Sequence, residues 1–144
     1  MVATSHDVML DIELYQPTDE ANALALAASL SKDGWLLGGS QDTYGWLKDR
    51  NKTASAMIEL TQVDAWKGIK ETSDGIEIGA VTTLTEISKN PLVKEKFALL
   101  AKAAGVVASP QIRNVGTLAG NLAQDARCSL LVGMVYLRKS ACTN

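Results

Sequence analysis

Residues 36–42 read LLGGSQD, and residues 113–121 read RNVGTLAGN. Both runs place small residues where a side chain would ordinarily pack. Such a run either turns the chain sharply or lets the backbone approach a ligand closely. In the first run an apolar stretch of strand length leads into Gly38 and Gly39, and Ser40 adds a hydroxyl donor. A helix opening near Gln41 would bring the positive end of its dipole to the same place. That order, strand, glycines, helix, suits a pyrophosphate. It is neither the GxGxxG dinucleotide pattern nor the GxxxxGK[ST] phosphate loop. In the second run Thr117 and Asn121 bracket small residues and offer hydrogen-bond donors. Taken singly, each run reads first as an ordinary tight turn.

Outward from these runs the chain predicts an α+β pattern. Pro17 and Thr18 introduce a helix through DEANALALAASLSKDG, which Gly34 is expected to end. WLLGG reads as a buried strand, QDTYGWLKDR (41–50) as a helix and MIEL (57–60) as a second strand. GIKETSDGIEIGA reads as a hairpin turning at Asp74-Gly75. TTLTEISKN is a short helix, with Thr82 and Thr83 better placed to cap it than to meet a ligand. NPLVKEKFALLAKAAGVVA reads as one longer helix with Asn90 as N-cap and Pro91 in its first turn. Leu92, Val93, Phe97, Leu100 and Ala104 share its apolar face.

The bulk figures exclude several functions. The 144 residues suffice for one domain with a core, and a formal net charge of −2 leaves no basic excess for nucleic acid. No apolar stretch approaches the ~20 residues of a membrane span. The N-terminal MVATSHDVMLDIE has no basic region of the kind a secretory signal carries. Two cysteines, Cys128 and Cys142, make no disulfide framework, so a reducing cytoplasm is the expected location. His6 is the single histidine, which makes a Ser-His-Asp triad or a histidine metal site hard to build. No catalytic residue and no metal ligand is assigned. Trp35, Trp46 and Trp66 could stack on an aromatic ligand or simply pack, and the charged KDRNK (48–52) reads as a solvated helix end. Arg113 is suited either to hold its loop or to meet a phosphate, or else is a solvated surface arginine.

Five stretches in order resemble the flavin-binding subunit of molybdenum hydroxylases, the group of xanthine dehydrogenase, carbon monoxide dehydrogenase and 4-hydroxybenzoyl-CoA reductase. They are YQPTDEANALALA, LLGGSQDTYGWLKDR, EIGAVTTLTEI, ASPQIRNVGTLAGN and NLAQDARC, and together they cover about residues 12–128. The resemblance implies a two-part FAD-binding fold of the PCMH type. Residues 1–60 would form the first subdomain and residues 61–128 the start of the second, truncated here, while the tail 129–144 departs from the family. It implies FAD as cofactor, held by Leu37, Gly38, Gly39, Ser40, Gln41 and Asp42 in the first loop. In the second, Gly116, Thr117, Ala119, Gly120, Asn121 and Gln124 would take part. It further implies electron relay: a molybdopterin-binding large subunit oxidises substrate, an iron–sulfur small subunit passes electrons on, and flavin hands them to an external acceptor. A cysteine at the position of Cys128 joins a four-iron, four-sulfur cluster in one branch of the family. Two thiols fall short of the four such a cluster needs, so Cys128 reads as a small buried residue. The alternative reading is a family fragment that serves assembly without catalysis, or a remnant without function.

Overall fold

A parallel sheet of three short strands is formed early in the chain, in the order β1-β3-β2. A computed structural model describes residues 11–48 and 52–124. β1 (Glu13–Tyr15) and β2 (Gly34–Leu37) flank the central β3 (Ala56–Glu59). Tyr15 lies opposite Ile58 on one side, and Leu36 opposite Ile58 on the other. Ala56, Met57 and Ile58 are all buried, as a central parallel strand covered on both faces requires.

The helix α1 (Glu20–Leu30) connects β1 to β2. Its N-cap is Asp19, whose carboxylate accepts from the Asn22 N–H at 2.8 Å. It ends earlier than the sequence suggests: Ser31, at φ 46°, takes the cap, and Gly34 opens β2 instead. Glycine is needed at 34 for another reason. A Cβ there would lie 2.7 Å from Leu30 Cβ, where the new strand passes back over the helix end. The helix α2 (Thr43–Lys48) connects β2 to β3 and buries Thr43 and Leu47. Leu37, Leu47 and Met57 form one apolar cluster, against which Trp35 packs.

The later residues build a second cluster. β4 (Ile69–Thr72) and β5 (Gly75–Ile78) form the expected hairpin. Thr72 pairs with Gly75, so the two-residue turn is Ser73-Asp74 rather than Asp74-Gly75. The helix α3 (Leu84–Lys89) is capped by Thr83 in a capping box with Glu86. The single helix expected over 91–108 is broken in two, α4 (Pro91–Lys96) and α5 (Ala98–Val106). Phe97 is the break, at φ −134° and ψ 50°. Its N–H closes α4 on Val93, and its carbonyl accepts from Leu100 and Ala101 to open α5. The break reorients the second half: Ala101 and Ala104 are buried, whereas Phe97 itself is 36% exposed and Leu99 is 82% exposed. Leu84, Ile87, Val93, Ala101 and Ala104 are the core here, with the hairpin isoleucines packed against them. Two short helices follow, α6 (Pro110–Arg113) and α7 (Leu118–Leu122). Among the described residues, no helix is long and apolar enough to cross a membrane.

Candidate functional site

The two glycine-rich runs meet. Gly38 and Gly39 leave the end of β2, and Val115, Gly116 and Thr117 lead into α7. Thr117 is 1% exposed and joins them: its Oγ1 donates to the Gly38 carbonyl at 2.8 Å. The same oxygen accepts from the Gly120 N–H at 3.1 Å as the N-cap of α7. A Cβ at Gly120 would lie 2.3 Å from the Gly38 carbonyl oxygen, and one at Gly39 would lie 2.3 Å from the Val115 carbonyl oxygen. Gly39 also has φ +88°. The smallness of these residues therefore first serves the approach of one run to the other. Gly116 completes the seam: its N–H donates to the Ile112 carbonyl at 2.7 Å, and its carbonyl accepts from the Leu84 N–H at 2.9 Å. Asp42 and Gln124 close the far end with a side-chain hydrogen bond between the runs.

A cleft of about 440 Å³ opens along this seam. Ten of the twelve residues expected at a cofactor line it: Gly38, Gly39, Ser40, Gln41, Asp42, Gly116, Thr117, Gly120, Asn121 and Gln124. The other two do not. Leu37 is 1% exposed and turned into the core, and Ala119 lies off the cleft with its N–H on the Ala80 carbonyl.

The lining residues divide by what their polar groups already do. Thr117, Asp42 and Gln124 tie the runs together, and Gln41 donates from Nε2 to the Gly39 carbonyl at 2.9 Å. Ser40 differs. Its Oγ is buried and has no hydrogen-bond partner, and its backbone stands at φ 54°. Among the described residues, the N–H groups of Gly39, Ser40 and Gln41 and the side chain of Asn121 also have no protein acceptor or donor. A buried hydroxyl without a partner is costly, by about 1–3 kcal/mol. Amides and a hydroxyl without protein partners on one loop are the donors that an oxyanion such as a phosphate takes. The helix dipole anticipated behind it contributes little, because α2 starts only at Thr43 and is six residues long.

Other walls of the cleft lie outside the two glycine-rich runs. Val107, Ala108, Ile112 and Leu84 supply an apolar side. Ala108 stands at φ 41°, and Arg113 holds that turn, donating from one guanidinium nitrogen to the Val107 and Ala108 carbonyls at 2.8 and 3.0 Å. Of its three possible roles, Arg113 takes that of loop holder. Trp35 and Trp46 both line the cleft, their ring centroids 6.3 Å apart. Lys52, half-buried, lies over both rings, 5.3 and 4.6 Å from their centroids. Trp66 sits in a 3-10 turn away from the cleft. Thr82 and Thr83 hold structure: Thr82 Oγ1 bonds both backbone groups of Gly68, and Thr83 caps α3. No group of three or more potential metal ligands occurs among the described residues, and His6, Cys128 and Cys142 lie outside them.

Residues 10–135 match the family described as "FAD binding domain in molybdopterin dehydrogenase". The chain is 32% identical over 111 residues to the carbon monoxide dehydrogenase medium chain of Hydrogenophaga pseudoflava, covering 77% of this chain and 39% of the relative. It is 32% identical over 120 residues to the nicotinate dehydrogenase FAD-subunit of Eubacterium barkeri, covering 82% and 40%. In three dimensions it matches the carbon monoxide dehydrogenase of Hydrogenophaga pseudoflava at a TM-score of 0.77 and 31% identity, over 81% of this chain and 40% of that one. The chain thus spans about two fifths of the length of these relatives. With the family matched over most of its length, and an α+β fold shared with a solved member, this chain belongs to the FAD-binding domains of the molybdopterin dehydrogenases.

Proposed function

We propose that this chain contributes the FAD-binding electron-transfer module of a multi-subunit molybdenum hydroxylase, with the cleft between the two glycine-rich runs as its cofactor site. The partners in this reading are a molybdopterin-binding large subunit and an iron–sulfur small subunit, and the location is the cytoplasm. The observation that carries it is the unpartnered, buried Ser40 Oγ beside the N–H groups of Gly39, Ser40 and Gln41, which have no protein acceptor among the described residues. These groups would hold the pyrophosphate of FAD. Asn121, at the rim on α7, would hold a polar edge of the cofactor. Thr117, Gly38 and Gly120 set the spacing between the two sides, and Leu84, Val107 and Ile112 keep water from one wall. The flavin supplies the redox chemistry when bound, and the chain supplies binding and orientation.

Titration of the purified chain with FAD, followed by flavin fluorescence and visible absorbance, tests the reading. Saturable, stoichiometric binding is expected. A well-folded chain that leaves FAD fluorescence unchanged would favour the assembly or remnant reading instead. A charge introduced at Gly39 makes a poor control, because any side chain there strikes the Val115 carbonyl whether or not FAD binds.

A further inference from the structure

Trp35, Trp46 and Lys52 form an aromatic, cationic part of the cleft outside the glycine-rich runs. Trp35 is anchored from behind by the Leu37, Leu47 and Met57 cluster and lines the cleft in front. Trp46 meets it at an interplanar angle of 50°, and the Lys52 ammonium is attracted to both ring faces. A pair of half-buried tryptophans on a cleft wall is a surface for a flat heterocycle, and the cation beside them favours a ligand that carries negative charge. Their distance from the cradle is suitable. Trp35 precedes Gly38 by three residues on a strand, about 10 Å at 3.3 Å per residue. Trp46 follows Asp42 by four residues, roughly one turn of helix. A base joined through a sugar to a phosphate spans a gap of that order.

We infer that Trp35, Trp46 and Lys52 form the subsite for one aromatic end of the bound dinucleotide, with Trp46 and Lys52 determining affinity for that ring. The inference rests on the proposal that the cleft takes FAD. The shared chemistry is a planar heterocycle on an anionic phosphate tether, and it belongs to both the adenine and the isoalloxazine ends.

The test uses the full chain, with FAD, ADP and FMN as probes and circular dichroism to verify folding. Trp46→Leu is expected to weaken FAD binding roughly tenfold, the scale of losing one base–aromatic stack. Trp46→Phe should recover most of that loss, since it keeps a ring. The end that stacks is identified by whether ADP or FMN shows the same loss. Lys52→Met, which keeps the stem and removes the charge, should weaken FAD severalfold and flatten its salt dependence. It decides the matter alone should Trp46→Leu fail to fold. Unchanged FAD affinity in Lys52→Met and in a folded Trp46→Leu would overturn the inference while leaving the FAD site standing. Failure of the unsubstituted chain to bind FAD would overturn both.

Discussion

The two glycine-rich runs look alike in sequence and do different things. The first presents: around Ser40 it leaves amides and a buried hydroxyl without protein partners among the described residues. The second supports: Thr117 is fully engaged, Gly116 bonds in both directions, and Gly120 lets α7 press against the Gly38 carbonyl. Glycine in the second run, and Gly39 in the first, admits neighbouring backbone rather than ligand. The lesson is that a glycine pair near a binding site marks close approach, and only the geometry says by what. Preorganisation follows, because a loop pinned by its neighbour loses less freedom when a ligand arrives.

The contrast can be broken at its tightest contact. Gly39→Ala combines a positive φ with a 2.3 Å clash against backbone, so a loss of roughly 3 kcal/mol or more in unfolding free energy is expected by denaturant titration. Gly68→Ala separates the two causes. Gly68 has φ +95° but nothing within 4 Å of a Cβ, so the loss there should be about 1–2 kcal/mol. Equal losses at the two positions would mean that the runs do not press together as described.

Thr117→Val comes next. It keeps the side chain's shape and removes the hydroxyl, leaving the Gly38 carbonyl and the Gly120 N–H without their partner. A loss of about 2 kcal/mol is expected, and FAD affinity should fall with it because the spacing of the seam is no longer fixed. A change confined to stability would place Thr117 outside the positioning of the site.

Smallest and opposite in sign is Gly105→Ala. Gly105 lies inside α5, where a Cβ would make an ordinary contact 3.6 Å from Ser88 Cβ. Thermal unfolding should show a gain of about 0.5–1 kcal/mol, since this glycine serves no close approach.

Much of this architecture was legible in the sequence, because the signals were local. Asn90 and Pro91 announced the start of α4, Thr82 and Thr83 announced a cap for α3, and the two glycine runs announced the candidate cleft. The break at Phe97 was not legible, since a phenylalanine carries no signal against helix and the bend is set by how Ala101 and Ala104 pack. The cross-contacts were beyond reach for a different reason. Thr117 to Gly38 spans 79 residues and Gln124 to Asp42 spans 82, and no local pattern encodes such a pairing. The place of Lys52 was beyond reach on the same account: nothing in a charged run says that the fold will bring two tryptophans beneath one of its lysines.

The central claim is that the first run is built to be completed by a ligand, and Ser40→Ala tests it most directly. The substitution removes the unpartnered hydroxyl and leaves the backbone strain much as it was. Thermal unfolding is to be measured with and without saturating FAD. Without FAD, the variant should be as stable as the original chain or up to about 1 kcal/mol more so, because a buried polar atom with no partner has gone. With FAD, its stabilisation should be smaller than that of the original chain, reflecting weaker binding. A variant that is less stable without FAD, yet gains as much from FAD as the original chain, would show that Ser40 serves the fold and that the cradle lies elsewhere.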